Sequence, residues 1–137
     1  MLTLELSKTR TSNAICKEVK SLFDDENLSM NRVGEVFNRK PNIDYSLYAD
    51  EKVAIMLVNY LQIAYQGRVI KNSKSGEVGI VHSVGFSNRE LGSMHVSVVI
   101  IKGNEIYNTT WSLSAIEPLG IDAYAYIKSI QQFMKSL

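Results

Sequence analysis

His95-Val-Ser-Val-Val-Ile-Ile-Lys-Gly-Asn-Glu-Ile-Tyr-Asn-Thr-Thr-Trp-Ser112 is the stretch that decides the fold. β-Branched and aromatic residues fill both arms, and Gly103-Asn104 supplies the pair of residues that a tight hairpin turn requires. With a two-residue turn, Lys102 faces Glu105, and every other cross-strand pair follows. Ser112 falls opposite His95, Thr110 opposite Ser97 and Asn108 opposite Val99. All of these share one face of the sheet, because side chains alternate with a period of two.

Working outward, Val78 to Phe86 reads as a longer strand, Asn72 to Gly76 as a turn, and Val69-Ile70 as a short strand before it. Ser87 to Ser93 reads as a polar loop. Beyond the hairpin, Asp122 caps a closing helix whose apolar stripe is Tyr126, Ile127, Ile130, Phe133 and Met134. Upstream the period changes from two to 3.6. Asp50 caps a helix closed by Gly67 at C′, and its apolar residues cover most of the circumference, which predicts a central core helix. Ser29 caps a shorter helix that stops before Pro41, with Leu28 and Val33 at the two positions of a hydrophobic staple. Ala14 to Phe23 forms the first helix, capped by Ser12 or Asn13. Leu2, Leu4 and Leu6 alternate as a short first strand. The order is β-α-α-α-β-β-β-β-α, an α+β class with N-terminal helices packed on a C-terminal antiparallel sheet. A chain of 137 residues predicts one domain spanning 1–137.

Bulk chemistry narrows the function classes. Apolar residues make up 45% of the chain, enough for a sizeable core, and 15 basic against 14 acidic side chains leave a net charge of +1. That balance offers no sequence-independent attraction to a phosphate backbone, so no nucleic-acid partner is expected. The longest apolar run, Val53 to Val58, is too short for a membrane span, and the start lacks signal-peptide features. The single cysteine excludes an internal disulfide. The expected location is the cytosol, of the producing cell or of a target cell into which the chain is delivered. No phosphate loop or dinucleotide fingerprint occurs, and His82 has no ligand-spaced companions, so neither cofactor nor metal is expected.

Two residues carry a possible chemistry. Cys16 lies in the first turn of a helix, where unpaired N–H groups, the positive dipole end, Lys17 and Lys20 favour a thiolate. His95 opens the firmest strand, where a rigid sheet orients an imidazole. The order cysteine-helix, further helices, histidine-strand and polar residue on the next strand resembles the papain-like cysteine hydrolase superfamily. It is most similar to small bacterial papain-fold toxins and effectors and to NlpC/P60 cell-wall hydrolases. The resemblance implies an amide hydrolase or deamidase acting on a protein or peptide, with Cys16 as nucleophile, His95 as general base and acid, and Asn13 lending a donor to the oxyanion. Asn108, just upstream of Trp111, occupies the place of the family's third residue. The register sets it four residues along the strand from His95, roughly 13 Å away. Ser112 is the better-placed partner, while Glu117 or Asp122 reach His95 only through a loop.

The same residues also admit a plainer account. Free cysteine is among the most buried residue types, and Cys16 borders the stripe Ile15, Val19, Leu22 and Phe23. On that account the chain is a non-enzymatic α+β binding module, such as an immunity protein, an effector chaperone or a pocket-bearing adaptor with a protein partner.

Overall fold

The computed structural model describes residues 3–86 and 93–137. Leu2 and the Ser87–Ser93 loop, except Ser93, lie outside the described residues. Among the described residues there are four α-helices: α1 Ala14–Phe23, α2 Met30–Phe37, α3 Glu51–Tyr65 and α4 Ala123–Lys135, the last three starting at side-chain caps. Ser29 Oγ accepts from the Arg32 amide (3.1 Å), Asp50 Oδ1 from Val53 (3.1 Å) and Asp122 Oδ1 from Ala125 (2.8 Å). Each bond satisfies one of the amides that a helix start leaves without a partner. Leu28 and Val33 are both buried, as a staple demands. Gly67 follows α3 with φ +74°, and its N–H and C=O bond Val81 and Ala123 respectively, tying the helix end to the sheet and to α4.

Six strands make one sheet: β1 Glu5–Leu6, β2 Arg68–Asn72, β3 Val78–Phe86, β4 Met94–Lys102, β5 Glu105–Ser112 and β6 Ile116–Asp122. Their spatial order is β1-β5-β4-β3-β2-β6. The β4–β5 register matches the sequence reading pair for pair, from Lys102 opposite Glu105 to His95 opposite Ser112. The sheet is antiparallel except at one edge, where Glu5 and Leu6 run parallel to Glu105 and Ile106 and make it mixed. β6 is an addition to the expected order. It pairs with β2 across an irregular register, and Pro118 and Gly120 interrupt its sequence pattern. Proline is tolerated there because β6 is an edge strand.

The two faces of the sheet are covered unequally. Ile80, Val99 and Ile106 pack with Val19, Leu22, Val36 and Ile127, so α1, α2 and α4 share one face. Val81, Val98, Ile100, Tyr107 and Trp111 pack with Val58 and Leu61 of α3 on the other. The expectation of a central α3 is overturned. Only Ala54, Val58 and Leu61 are buried, while Met56, Tyr60 and Ile63 are 64%, 64% and 80% exposed. A single helix lying on a sheet buries one stripe at i, i+4, i+7, and the apolar residues beyond that stripe have nothing to pack against.

α4 departs from its expected stripe for a polar reason. Phe133 is 63% exposed, and Gln131 is buried instead. Gln131 Nε2 donates to the carbonyls of Phe23 (3.2 Å) and Asp25 (2.7 Å), groups that the end of α1 leaves unpaired. α4 thereby holds the end of α1 as well as covering it.

Candidate functional site

α1 presents two different flanks, and the expected nucleophile sits on the closed one. Asn13 is the N-cap by position, but its side chain makes no capping bond. Its Nδ2 donates to Asn108 Oδ1 (3.1 Å), and Asn108 Nδ2 donates onward to Ser97 Oγ (3.0 Å) and the Val98 carbonyl (2.7 Å). Cys16, one turn on, is fully buried within the core that holds Val19, Leu22, Ile106 and Ile127. Burial pushes its thiol up, and the backbone bond to Asn13 offsets this only in part. The helix start therefore does not yield the lowered thiol expected from sequence, because desolvation of the charged form outweighs the dipole end.

The other flank opens onto a cleft of about 450 Å³, within the usual range of small-molecule sites. α1 contributes Ile15 and Glu18 to it, and the chain after α2 contributes Arg39 to Ile43. The floor comes from β3 and β4 and carries His82 and His95, the two histidines of the chain. Around a helix with 3.6 residues per turn, Cys16 and Glu18 project about 160° apart. A residue facing the cleft with Glu18 therefore turns its back on Cys16.

Each histidine reaches the cleft by a distinct backbone device. His95 stands opposite Gly85, and a β-carbon at Gly85 would lie 3.8 Å from both Cε1 and Nε2 of the imidazole. The missing side chain leaves the ring edge free to lie over the neighbouring strand. His95 Nδ1 is buried with no hydrogen-bond partner among the described residues. His82 is the extra residue of a β-bulge: Val81 pairs with Val98 and Ser83 with Ser97, which leaves His82 without a cross-strand partner. Gln66 Nε2 donates to its carbonyl (3.2 Å). Burial draws the His82 imidazole below its ordinary value, while the Glu18 carboxylate acts in the opposite sense.

The rim is charged and aromatic. Arg39 Nη2 donates to Glu18 Oε1 at 2.6 Å, closing an ion pair between α1 and the segment after α2. Tyr48 and Phe86 stand with ring centroids 5.1 Å apart and planes tilted by 56°, the offset geometry that aromatic rings favour.

The other sequence candidates are engaged elsewhere. Ser112 lies opposite His95 as expected, yet its hydroxyl caps a short 3-10 turn, accepting from the Ser114 amide (3.4 Å) and meeting Ser114 Oγ at 3.0 Å. Glu117 and Asp122 belong to β6, three strand spacings from β4, or roughly 14 Å. Asp122 is also spent as the α4 cap. Asn108 keeps the register that separates it from His95 and serves the Asn13–Ser97 network instead.

Sequence reasoning missed Glu18, Arg39, Lys40, Tyr48 and Phe86 as site residues. Two signals were present. Val81 and Val84 face the same core across an odd spacing, which marks a bulge between them. Gly85 within a β-branched strand marks a place where another group approaches closely. Among the described residues, no group of three His, Cys, Asp or Glu side chains is placed to hold a metal ion, and no helix is long and apolar enough to cross a membrane. The chain matches no protein-family model, no curated protein and no solved structure.

Proposed function

We propose that this chain is a non-enzymatic binding module of the pocket-bearing kind, and that its ligand occupies the cleft between α1 and the β3–β4 floor. One observation carries the reading: both histidines line an open cleft in which His95 Nδ1 is buried with no partner among the described residues. A buried imidazole nitrogen left unsatisfied costs about 1–3 kcal/mol, and a ligand toward which the ring turns recovers that cost. The only thiol lies sealed on the opposite flank of α1, which favours binding over nucleophilic chemistry. A thermal-shift panel of small molecules tests the proposal. Stabilising compounds should raise Tm in the parent chain and lose their effect in Gly85→Leu, whose side chain fills the floor beneath His95. Equal stabilisation of both proteins would place the ligand elsewhere.

A second reading, a Cys–His amide hydrolase or deamidase, draws on the same nitrogen. His95 shares its sheet face with α1, and a base without a partner is what such a dyad offers before its thiol arrives. That reading requires α1 to rotate so that Cys16 enters the cleft. Alkylation separates the two. A thiol that reacts in the folded protein with a midpoint well below pH 8 supports the dyad, and one that stays inert until the chain unfolds supports the binding module.

A further inference from the structure

We infer that the cleft selects a small, flat organic anion, with its carboxylate set among Lys40, His82 and His95 and its apolar body against Tyr48, Phe86 and Ile43. This rests on the cleft being a binding site, and adds the charge and shape of what it takes.

The charge argument is a matter of accounting. Among the described residues that line the cleft, Glu18 is the only carboxylate, and Arg39 already binds it at 2.6 Å. Lys40 is exposed on the same wall and forms no ion pair with any described residue. Among the described residues, the cleft thus holds one cation without an ion-pair partner next to two imidazoles, each able to donate a hydrogen bond through a ring nitrogen. An incoming cation would meet Lys40 with nothing to balance it. A neutral ligand would satisfy the buried nitrogen of His95 but leave the ammonium in water. A carboxylate answers both, because it accepts from an ammonium and an imidazole together and charge-assisted hydrogen bonds are the stronger kind.

The shape argument comes from the walls. Tyr48 and Phe86 offer ring surfaces at one side, and Ile15, Pro41 and Ile43 add apolar contact without polar atoms. Such walls favour a planar apolar body over a hydrated one, such as a sugar. His82 adds a signature of its own. Its imidazole is held below its ordinary value by burial, with Glu18 on α1 raising it and Arg39 lowering it. A carboxylate beside it favours the protonated ring, so binding should move its titration upward.

Benzoate, benzamide and benzylamine share one ring and differ in charge, and they are the probes. Two histidines give two imidazole Cε1–H resonances, assigned with His82→Gln and followed by NMR near pH 7. Benzoate is expected to shift both resonances saturably, with a Kd at least tenfold below that of benzamide, and to raise the His82 titration midpoint. Lys40→Gln should weaken benzoate about tenfold, equivalent to about 1.4 kcal/mol, and leave benzamide unchanged. If benzamide or benzylamine matches benzoate, the anion inference falls while the cleft remains a binding site. If none of the three moves either resonance, the cleft reading itself falls.

Discussion

The two flanks of α1 are built from adjacent residues and behave as opposites. Cys16, Val19 and Leu22 are fully buried, in a core that leaves no solvent beside them. Ile15 and Glu18 border an open cleft whose floor is broken by a bulge and a glycine. On the closed flank the side chains are used for packing, and the thiol behaves as a small apolar group. On the open flank one polar atom, His95 Nδ1, has no partner among the described residues. Residue type and position have come apart here: the one thiol is packed into the core, and the open cleft collects around histidines.

Three substitutions test that contrast. The largest effect belongs to the closed flank. Leu22→Ala should lower the unfolding free energy by about 3 kcal/mol, the usual cost of emptying a tightly packed leucine site. Urea denaturation with an unchanged m-value reads this directly, and a loss under about 1 kcal/mol would mean that the flank is loosely packed. A smaller effect follows from Cys16. The folded thiol is raised above its unfolded value, so the stability it contributes is complete below about pH 8.5 and is lost as pH rises through the folded value. Cys16→Ala should remove that alkaline loss; an identical alkaline profile in both proteins would show that the thiol is not sealed.

The smallest effect lies on the open flank. His82 is shifted downward by burial, so its contribution is present above about pH 6.5 and is lost as pH falls through the folded value. His82→Gln should flatten the acid limb of the Tm profile between about pH 7 and pH 5, and should leave the alkaline limb alone. A variant that shifts both limbs would tie the two flanks together.

How much of this was legible beforehand depended on whether the cause was local. The β4–β5 register was readable because Gly103-Asn104 fixes the turn, after which alternation dictates every pair. The caps at Ser29, Asp50 and Asp122 were readable because each bonds an amide three residues on. β6 was not, since Pro118 and Gly120 hide its pattern and its pairing to β2 is set by a distant strand. The exposure of Met56, Tyr60 and Ile63 was not either, because it depends on how many helices lie on each face of the sheet. The cleft draws on α1, the segment after α2, β3 and β4, and no short window of sequence contains it. His95 was singled out and Ser112 put correctly opposite it, yet register alone could not reveal that Ser112 caps the next turn.

The grip of Gln131 on the end of α1 has a meaning in time as well as in space. Donor and acceptor are 108 residues apart in the chain, and Glu5 of β1 waits nearly as long for its neighbour Glu105. During synthesis α1 emerges well before α4, the helix that completes its packing. At the usual 5–20 residues per second, its apolar side stays uncovered for roughly 5–20 s before α4 arrives. Contacts of such long range slow the search for the native state. Until then Val19 and Leu22 lie open, and that exposure ends only when α4 closes over α1.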